Sequence, residues 1–170
     1  MPAIRIQPVA VDRVRPLRAS ILRPGRPLGE STYALDDHVE AAHFGAVVDT
    51  SGEIVGSASV FREAASGDHV PNIHRGQDAW RAANAWRLRG MTVVESMRGR
   101  GLGAALLRAA LGCIVERGGG CLWFHARTQA EGFYQRYGFS TIGWGYDLAP
   151  LGHHVFMWRD LRIGNPGDRP

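Results

Sequence analysis

The stretch Met97-Arg98-Gly99-Arg100-Gly101-Leu102-Gly103-Ala104 decides how this chain is read, because it joins a short apolar strand to the most regular helical pattern in the sequence. Gly99, Gly101 and Gly103 strip side chains from the turn, so the backbone can approach a ligand closely and take positive φ without strain. Arg98 and Arg100 flank them. A helix that opens here turns its unpaired N–H groups and the positive end of its dipole toward the turn, an arrangement suited to phosphate. The ligand this predicts is a phosphorylated cofactor. A nucleotide-hydrolase loop needs Lys followed by Ser or Thr after its last glycine, and Ala104 and Ala105 stand there instead. A dinucleotide fingerprint needs Gly-x-Gly-x-x-Gly, whereas these glycines alternate.

The pattern that fits is Arg/Gln-x-x-Gly-x-Gly/Ala, carried by Arg98-Gly-Arg-Gly101-Leu-Gly103. Further along comes Ala130-Glu-Gly-Phe133-Tyr134-Gln-Arg-Tyr-Gly138-Phe139. The first segment resembles the acetyl-CoA pyrophosphate loop of the GNAT superfamily of N-acetyltransferases. The second resembles that superfamily's Ala-x-x-Leu-Tyr-x-x-x-Gly-Phe segment, and the likeness covers residues 40 to 160. It implies a single-domain α/β fold, with a mixed, mostly antiparallel sheet, a central splayed parallel strand pair and flanking helices. It also implies acetyl-CoA as co-substrate, with Arg98, Gly99, Arg100, Gly101, Leu102, Gly103 and Ala104 around the pyrophosphate. The backbone of Met91, Thr92 and Val93 would pair with the pantetheine arm. Phe133, Tyr134 and Arg136 would lie along the cofactor, Arg136 reaching a phosphate. Arg127 stands where many relatives carry an Asn that contacts the cofactor arm, a departure that leaves its partner open.

At 170 residues with 45% apolar content, the chain suits one domain with a substantial core. Residues 1–163 read as that domain and 164–170 as a flexible tail, since Gly164-Asn-Pro-Gly-Asp-Arg-Pro170 holds no core-forming residue. No apolar run reaches the roughly 18 residues of a membrane span, and Met1-Pro-Ala lacks a signal-peptide layout. The expectation is a cytoplasmic protein without a membrane partner. The net charge of +4 is carried without a single lysine, which removes lysine-based catalysis and self-acetylation on lysine. Arginines are scattered from Arg5 to Arg169, with no dense run or aromatic interleaving, so nucleic acid is not the expected partner. Cys113 and Cys121 have no Cys-x-x-Cys spacing and read as buried reduced thiols. The seven histidines form no helical i, i+4 pair, and no metal is assigned.

In chain order, Ile4–Ile6 reads as a strand, and Val14, Leu17, Ile21 and Leu22 recur at helical spacing up to Pro24-Gly25. Residues 23–37 read as irregular. Two strands, 44–48 and 54–61, flank the turn Asp49-Thr-Ser-Gly52. Residues 62–84 read as a long excursion with a short helix over 78–84. Residues 86–94 form the most informative strand. Trp86 and Leu88 are apolar at even positions, whereas Met91 and Val93 are apolar at odd ones after Gly90. A glycine at such a flip predicts a β-bulge, which in the resembled fold helps open the gap that takes the pantetheine arm. The helix predicted over 102–117 places Leu102, Leu106, Ala109 and Cys113 on one stripe. A buried strand follows at 121–126, a helix at 129–137, and antiparallel strands at 139–146 and 155–158.

Amide formation from a thioester needs a deprotonated amine, a stabilised oxyanion and a proton for the departing thiolate. The resemblance implies Tyr134 as that proton donor, because a phenol with a pKa of about 10 stays protonated at neutral pH. For the general base, Glu95, Glu131, Asp147, His125, His153 and His154 all qualify by position, as does a chain of water. The choice made here is the His153-His154 pair entering the last strand, with His154 as the catalytic member. The activity implied is transfer of an acetyl group to a primary amine of a small molecule or peptide. The alternative is a non-catalytic acyl-CoA-binding or sensor module. Asp36, Asp37, Glu40 and Glu63 suit recognition of a polyamine or aminoglycoside, and equally a solvated face. The oligomeric state is open, a homodimer included.

Overall fold

The computed structural model describes residues 2–66, 79–149 and 151–162. The expected tail at 164–170 and the middle of the 62–84 excursion lie outside them. Among the described residues, seven strands and three α-helices follow one another as β1 (Ile4–Pro8), α1 (Val11–Leu22), β2 (Ala42–Val48), β3 (Ile54–Arg62), β4 (Ala85–Val93), α2 (Leu102–Glu116), β5 (Cys121–Arg127), α3 (Glu131–Gln135), β6 (Ser140–Leu148) and β7 (Gly152–Asp160). The strand order in the sheet is β1-β2-β3-β4-β5-β7-β6. The β4–β5 pair is parallel, and its ladder joins Ala85, Trp86 and Arg87 to Cys121, Leu122 and Trp123. β4 then runs on to Val93 and β5 to Arg127. The β1–β2, β2–β3, β5–β7 and β6–β7 pairs are antiparallel. This is the expected mixed α/β sheet.

The described residues gather into two compact units, those within 2–61 and 88–116, and those within 62–87 and 117–162. In the first, α2 packs on β1 and β2 through Leu106, Leu107, Ala110, Leu111 and Ile114. Each fully buried leucine or isoleucine there contributes about 1.5–3 kcal/mol by leaving water. The stripe expected through Leu102, Ala109 and Cys113 is therefore displaced, since those three are only half-buried. The larger side chains of Leu107, Leu111 and Ile114, together with Leu106 of the expected stripe, bury more apolar area and win the inward face. Gly56 lets the helix come close: a Cβ there would meet Leu106 Cδ1 at 3.1 Å and Val93 Cγ2 at 3.3 Å.

The opposite face of the same strands holds a buried polar network instead. Arg18 and Asp36 have fully buried side chains and pair through two bonds, Nη1 to Oδ1 at 3.0 Å and Nη2 to Oδ2 at 2.8 Å. Asp36 also accepts from Arg15 Nε at 3.2 Å and from the Tyr33 amide at 3.1 Å. Tyr33 in turn lies edge-on to Phe61, and the Arg89 guanidinium sits 3.8 Å from its ring centre. Arg89 thus shares the side of Phe61, while Val93 shares the side of Gly56 and Leu106. In a regular strand, residues four apart face the same way. The intervening Gly90 has φ of +63°, and the change of side across it is the bulge expected from the parity flip. Its carbonyl accepts from Ser57 Oγ at 2.9 Å.

The second unit is built on β5, β6, β7, the start of β4 and α3. One face of its sheet is aromatic: Trp123 stacks on Phe156 at 5.6 Å, and Trp80 meets Phe156 and Trp158 edge-on. Trp80 lies in a 3-10 turn, Ala79–Arg81, where a short helix was expected. The other face carries Phe124, Phe139 and Tyr134. The helix expected over 129–137 is reduced to a 3-10 turn, Thr128–Ala130, followed by the short α3. The chain leaves α3 through bonds from Tyr137 N to Tyr134 O and Gly138 N to Gln135 O, the tighter spacing that ends many helices. Cys121 is buried and Cys113 half-buried, and no disulfide joins them.

Candidate active site

After β4 the chain makes a 3-10 turn, Glu95–Met97, and reaches the glycine loop. Arg98, Gly99, Arg100 and Gly101 are exposed. Gly99 and Gly101 have φ of +76° and +78°, and the positions their Cβ atoms would occupy are open. Gly103 is already inside α2. The Ala105 amide makes an α2 bond to the Gly101 carbonyl at 3.0 Å, so the amides of Leu102, Gly103 and Ala104 precede the i to i−4 ladder and have no acceptor within it. Those N–H groups and the dipole of a 15-residue helix point into an exposed turn where Gly99 and Gly101 carry no side chain, which suits a pyrophosphate. Arg98 ties the loop to β4, its Nε donating to the Val93 carbonyl at 3.2 Å. Thr92 is buried, Met91 and Val93 half-buried.

In the second unit Tyr134 is buried, its ring 4.4 Å from that of Phe124 and 5.0 Å from that of Phe133. Burial pushes its phenol well above the ordinary value, so the hydroxyl stays protonated across the physiological range. Phe133 also packs on Tyr137 and lies under the Arg136 guanidinium at 6.0 Å. Arg136 and Arg127 are exposed. Arg127 ends β5 directly opposite His154 on β7.

His154 is buried, with Nδ1 hydrogen-bonded to the Gly152 carbonyl at 2.7 Å. His153 is exposed and pairs with Asp147 at 3.1 Å. Glu131 accepts from Thr141 Oγ1 at 2.5 Å and from Gln135 at 3.2 Å. His125 Nδ1 is hydrogen-bonded to the hydroxyl of Tyr146, a partnership the sequence did not reveal. Burial raises the Tyr146 phenol, with Arg87 pulling it partly back.

Of the acidic residues weighed for a polycation, Asp36 is buried and lies on no solvated face, whereas Asp37 is exposed and Glu40 and Glu63 are half-buried. Asp36 is committed to Arg18 and Arg15, Asp37 to Arg15 at 2.7 Å, and Glu63 to Arg87 at 3.0 Å. Although burial pushes the Asp36 carboxyl up, the Arg18 and Tyr33 hydrogen bonds hold it below the ordinary value. Among the described residues no helix is long and apolar enough to cross a membrane.

Residues 40–141 match the family model described as the acetyltransferase (GNAT) domain. Over 160 residues the chain is 28% identical to the uncharacterized N-acetyltransferase YitI of Bacillus subtilis (strain 168), covering 94% of this chain and 97% of that protein. The crystal structure of a putative N-acetyltransferase from Lactobacillus plantarum superposes with a TM-score of 0.71 at 18% identity, over 94% of this chain and 99% of the other. That of an aminoglycoside 6′-N-acetyltransferase complexed with coenzyme A superposes with a TM-score of 0.64 at 15% identity, over 95% and 99%. The chain belongs to the GNAT family of acetyltransferases. Its class is that of acyl-CoA-dependent transferases.

Proposed function

We propose that residues 1–163 form a cytoplasmic N-acetyltransferase domain that moves an acetyl group from acetyl-CoA to a primary amine of a small molecule or peptide. The observation that carries the reading is the first turn of α2, whose amides open onto the exposed Gly99–Gly101 turn between Arg98 and Arg100. Acetyl-CoA supplies an acyl group activated as a thioester. The amides of residues 99–104 hold its pyrophosphate, with Arg98 and Arg100 adding charge, and Arg136 and Arg127 reach the outer parts of the cofactor. The backbone of Met91, Thr92 and Val93 pairs with the amides of the pantetheine arm. Phe133 packs along the cofactor, and Tyr134 gives its proton to the leaving thiolate. Burial keeps the Tyr134 phenol neutral at physiological pH and so able to donate, while making it a weaker acid that gives up its proton only to the strongly basic charge developing on sulfur. The proton leaving the amine goes to a histidine on the β5–β7 face that carries His125 and His154.

The test is calorimetric titration of the protein with acetyl-CoA and with acetylpantetheine, which lacks the pyrophosphate. Acetyl-CoA is expected to bind at least ~10-fold more tightly, the worth of a few charge-assisted hydrogen bonds. Equal affinity for the two would refute the assignment of the α2 turn.

A further inference from the structure

We infer that His125 and Tyr146 form the proton-accepting pair of this enzyme, with His125 taking the proton of the acceptor's ammonium group and Tyr146 acting as a positioning residue that fixes the imidazole. The inference rests on the acetyl-transfer reading above and adds to it the identity of the base.

The placement comes from the register of β5, β7 and β6. His125 lies opposite Phe156, Arg127 opposite His154, and His154 opposite Tyr146. Cross-strand partners share a face, so His125, Arg127, His154, Phe156 and Tyr146 stand on one side of the sheet. Phe124, one residue from His125, points the other way and carries Tyr134. The proton donor and the proton acceptor thus stand on opposite faces of β5.

His125 is half-buried and held on all sides. Trp123 and Phe156 meet its ring edge-on at 5.8 and 5.7 Å, and Tyr146 does so at 5.8 Å while bonding Nδ1. When Nδ1–H donates to the Tyr146 oxygen, the basic lone pair lies on Nε2. Tyr146 remains protonated because its phenol is raised by burial, so it does not take the proton itself; in the inferred pair its oxygen is the acceptor of Nδ1–H, the assignment that the tautomer measurement below tests. His154 differs: its Nδ1 is bound to the carbonyl of Gly152, two residues earlier on the same strand, which suits holding the β6–β7 turn. Among the described residues, the other charged or titratable groups toward the pair are Arg127 and His154 on the same face, and Arg87 of β4, which acts on Tyr146 and is paired with Glu63.

The protons balance. Nitrogen loses two on passing from ammonium to amide: one leaves to solvent through His125, and the other is returned through solvent to Tyr134, replacing the proton Tyr134 gave to sulfur, so one proton is released for each acetyl group transferred.

Two measurements on the intact protein test the pair. In 15N-imidazole NMR, with His125→Gln used to assign the signal, His125 is expected as the Nδ1–H tautomer, and Tyr146→Phe should shift it toward the Nε2–H form. A wild-type ring protonated on Nε2, or one unmoved by Tyr146→Phe, would overturn the inference. In thiol-release assays with an amine that supports turnover, His125→Gln is expected to lower kcat/KM about 10²- to 10⁴-fold and to remove the acid limb of its pH profile, leaving acetyl-CoA affinity unchanged. Tyr146→Phe should displace that limb. An intact limb in His125→Gln, or its loss in His154→Gln alone, would overturn the assignment. A wild-type protein that does not bind acetyl-CoA would count against the acetyl-transfer reading, and the tautomer measurement would still judge the pair.

Discussion

Replacing Gly90 by Ala probes the bulge and the buried ion pair together. A Cβ at this position would lie 2.4 Å from Arg18 Cδ and 3.2 Å from Arg18 Cγ, and the backbone φ of +63° is itself unfavourable for an L residue by about 1–2 kcal/mol. Cδ is not the free end of a flexible chain. The guanidinium beyond it is clamped on Asp36 by bonds of 3.0 and 2.8 Å inside a fully buried pocket, so the stem cannot retreat without loosening them. Breaking a buried pair outright costs about 3–5 kcal/mol, which puts the substitution between about 2 and 6 kcal/mol once partial relaxation is allowed. Urea unfolding of wild type, Gly90→Ala, Arg18→Ala and the double variant measures this as a cycle. Arg18→Ala removes Cγ and Cδ, so the steric part vanishes and Gly90→Ala should then cost only its backbone share. Single-variant effects that add to within about 0.5 kcal/mol would show no contact between the two sites and refute the reasoning.

Four further outcomes are expected. Asp36→Asn replaces one acceptor oxygen with a donor facing Arg18, Arg15 and the Tyr33 amide, and should destabilise by about 3–5 kcal/mol in the same unfolding assay. Acid should destabilise wild type in two stages. His43, lowered mainly by burial, is protonated first in the unfolded chain as pH falls below about 6.5; Asp36, held low when folded, then loses its contribution below about pH 4, as unfolding at stepped pH would record. Gly103→Val sits in regular helix, so folding should be little changed while acetyl-CoA affinity falls about 10-fold by calorimetry, from lost approach to the backbone. Cys121, pushed up to about 12 by burial and then by Asp160, should resist iodoacetamide at pH 8 in the folded protein, whereas half-buried Cys113 is labelled first, read by peptide mass spectrometry.

The parts of this molecule that were legible in the sequence are those governed by local rules. The alternation of Gly99, Gly101 and Gly103 requires backbone freedom just before a helix, and the structure has positive φ at the first two. The change of apolar parity around Gly90 reports a bulge because side chains along a strand must alternate. Where several stripes of one helix are apolar, however, periodicity alone does not choose among them. In α2 the larger side chains at 107, 111 and 114 took the inward face over Ala109 and Cys113. The partners of Asp36 and of His125 were illegible for another reason. Arg18 and Asp36 are 18 positions apart, and His125 and Tyr146 are 21 apart. The latter meet across β7, which lies between β5 and β6, an order that no local pattern encodes.

The central claim is tested most directly by incubating the protein with acetyl-CoA and a panel of amines, amino acids and peptides, following thiol release and the mass of the acceptor together. The account predicts that at least one primary amine gains an acetyl group in step with coenzyme A release, and that Tyr134→Phe slows this about 10²- to 10⁴-fold without weakening acetyl-CoA binding. Saturable acetyl-CoA binding with every acceptor left unmodified, or turnover untouched by Tyr134→Phe when chemistry limits the rate, would contradict it.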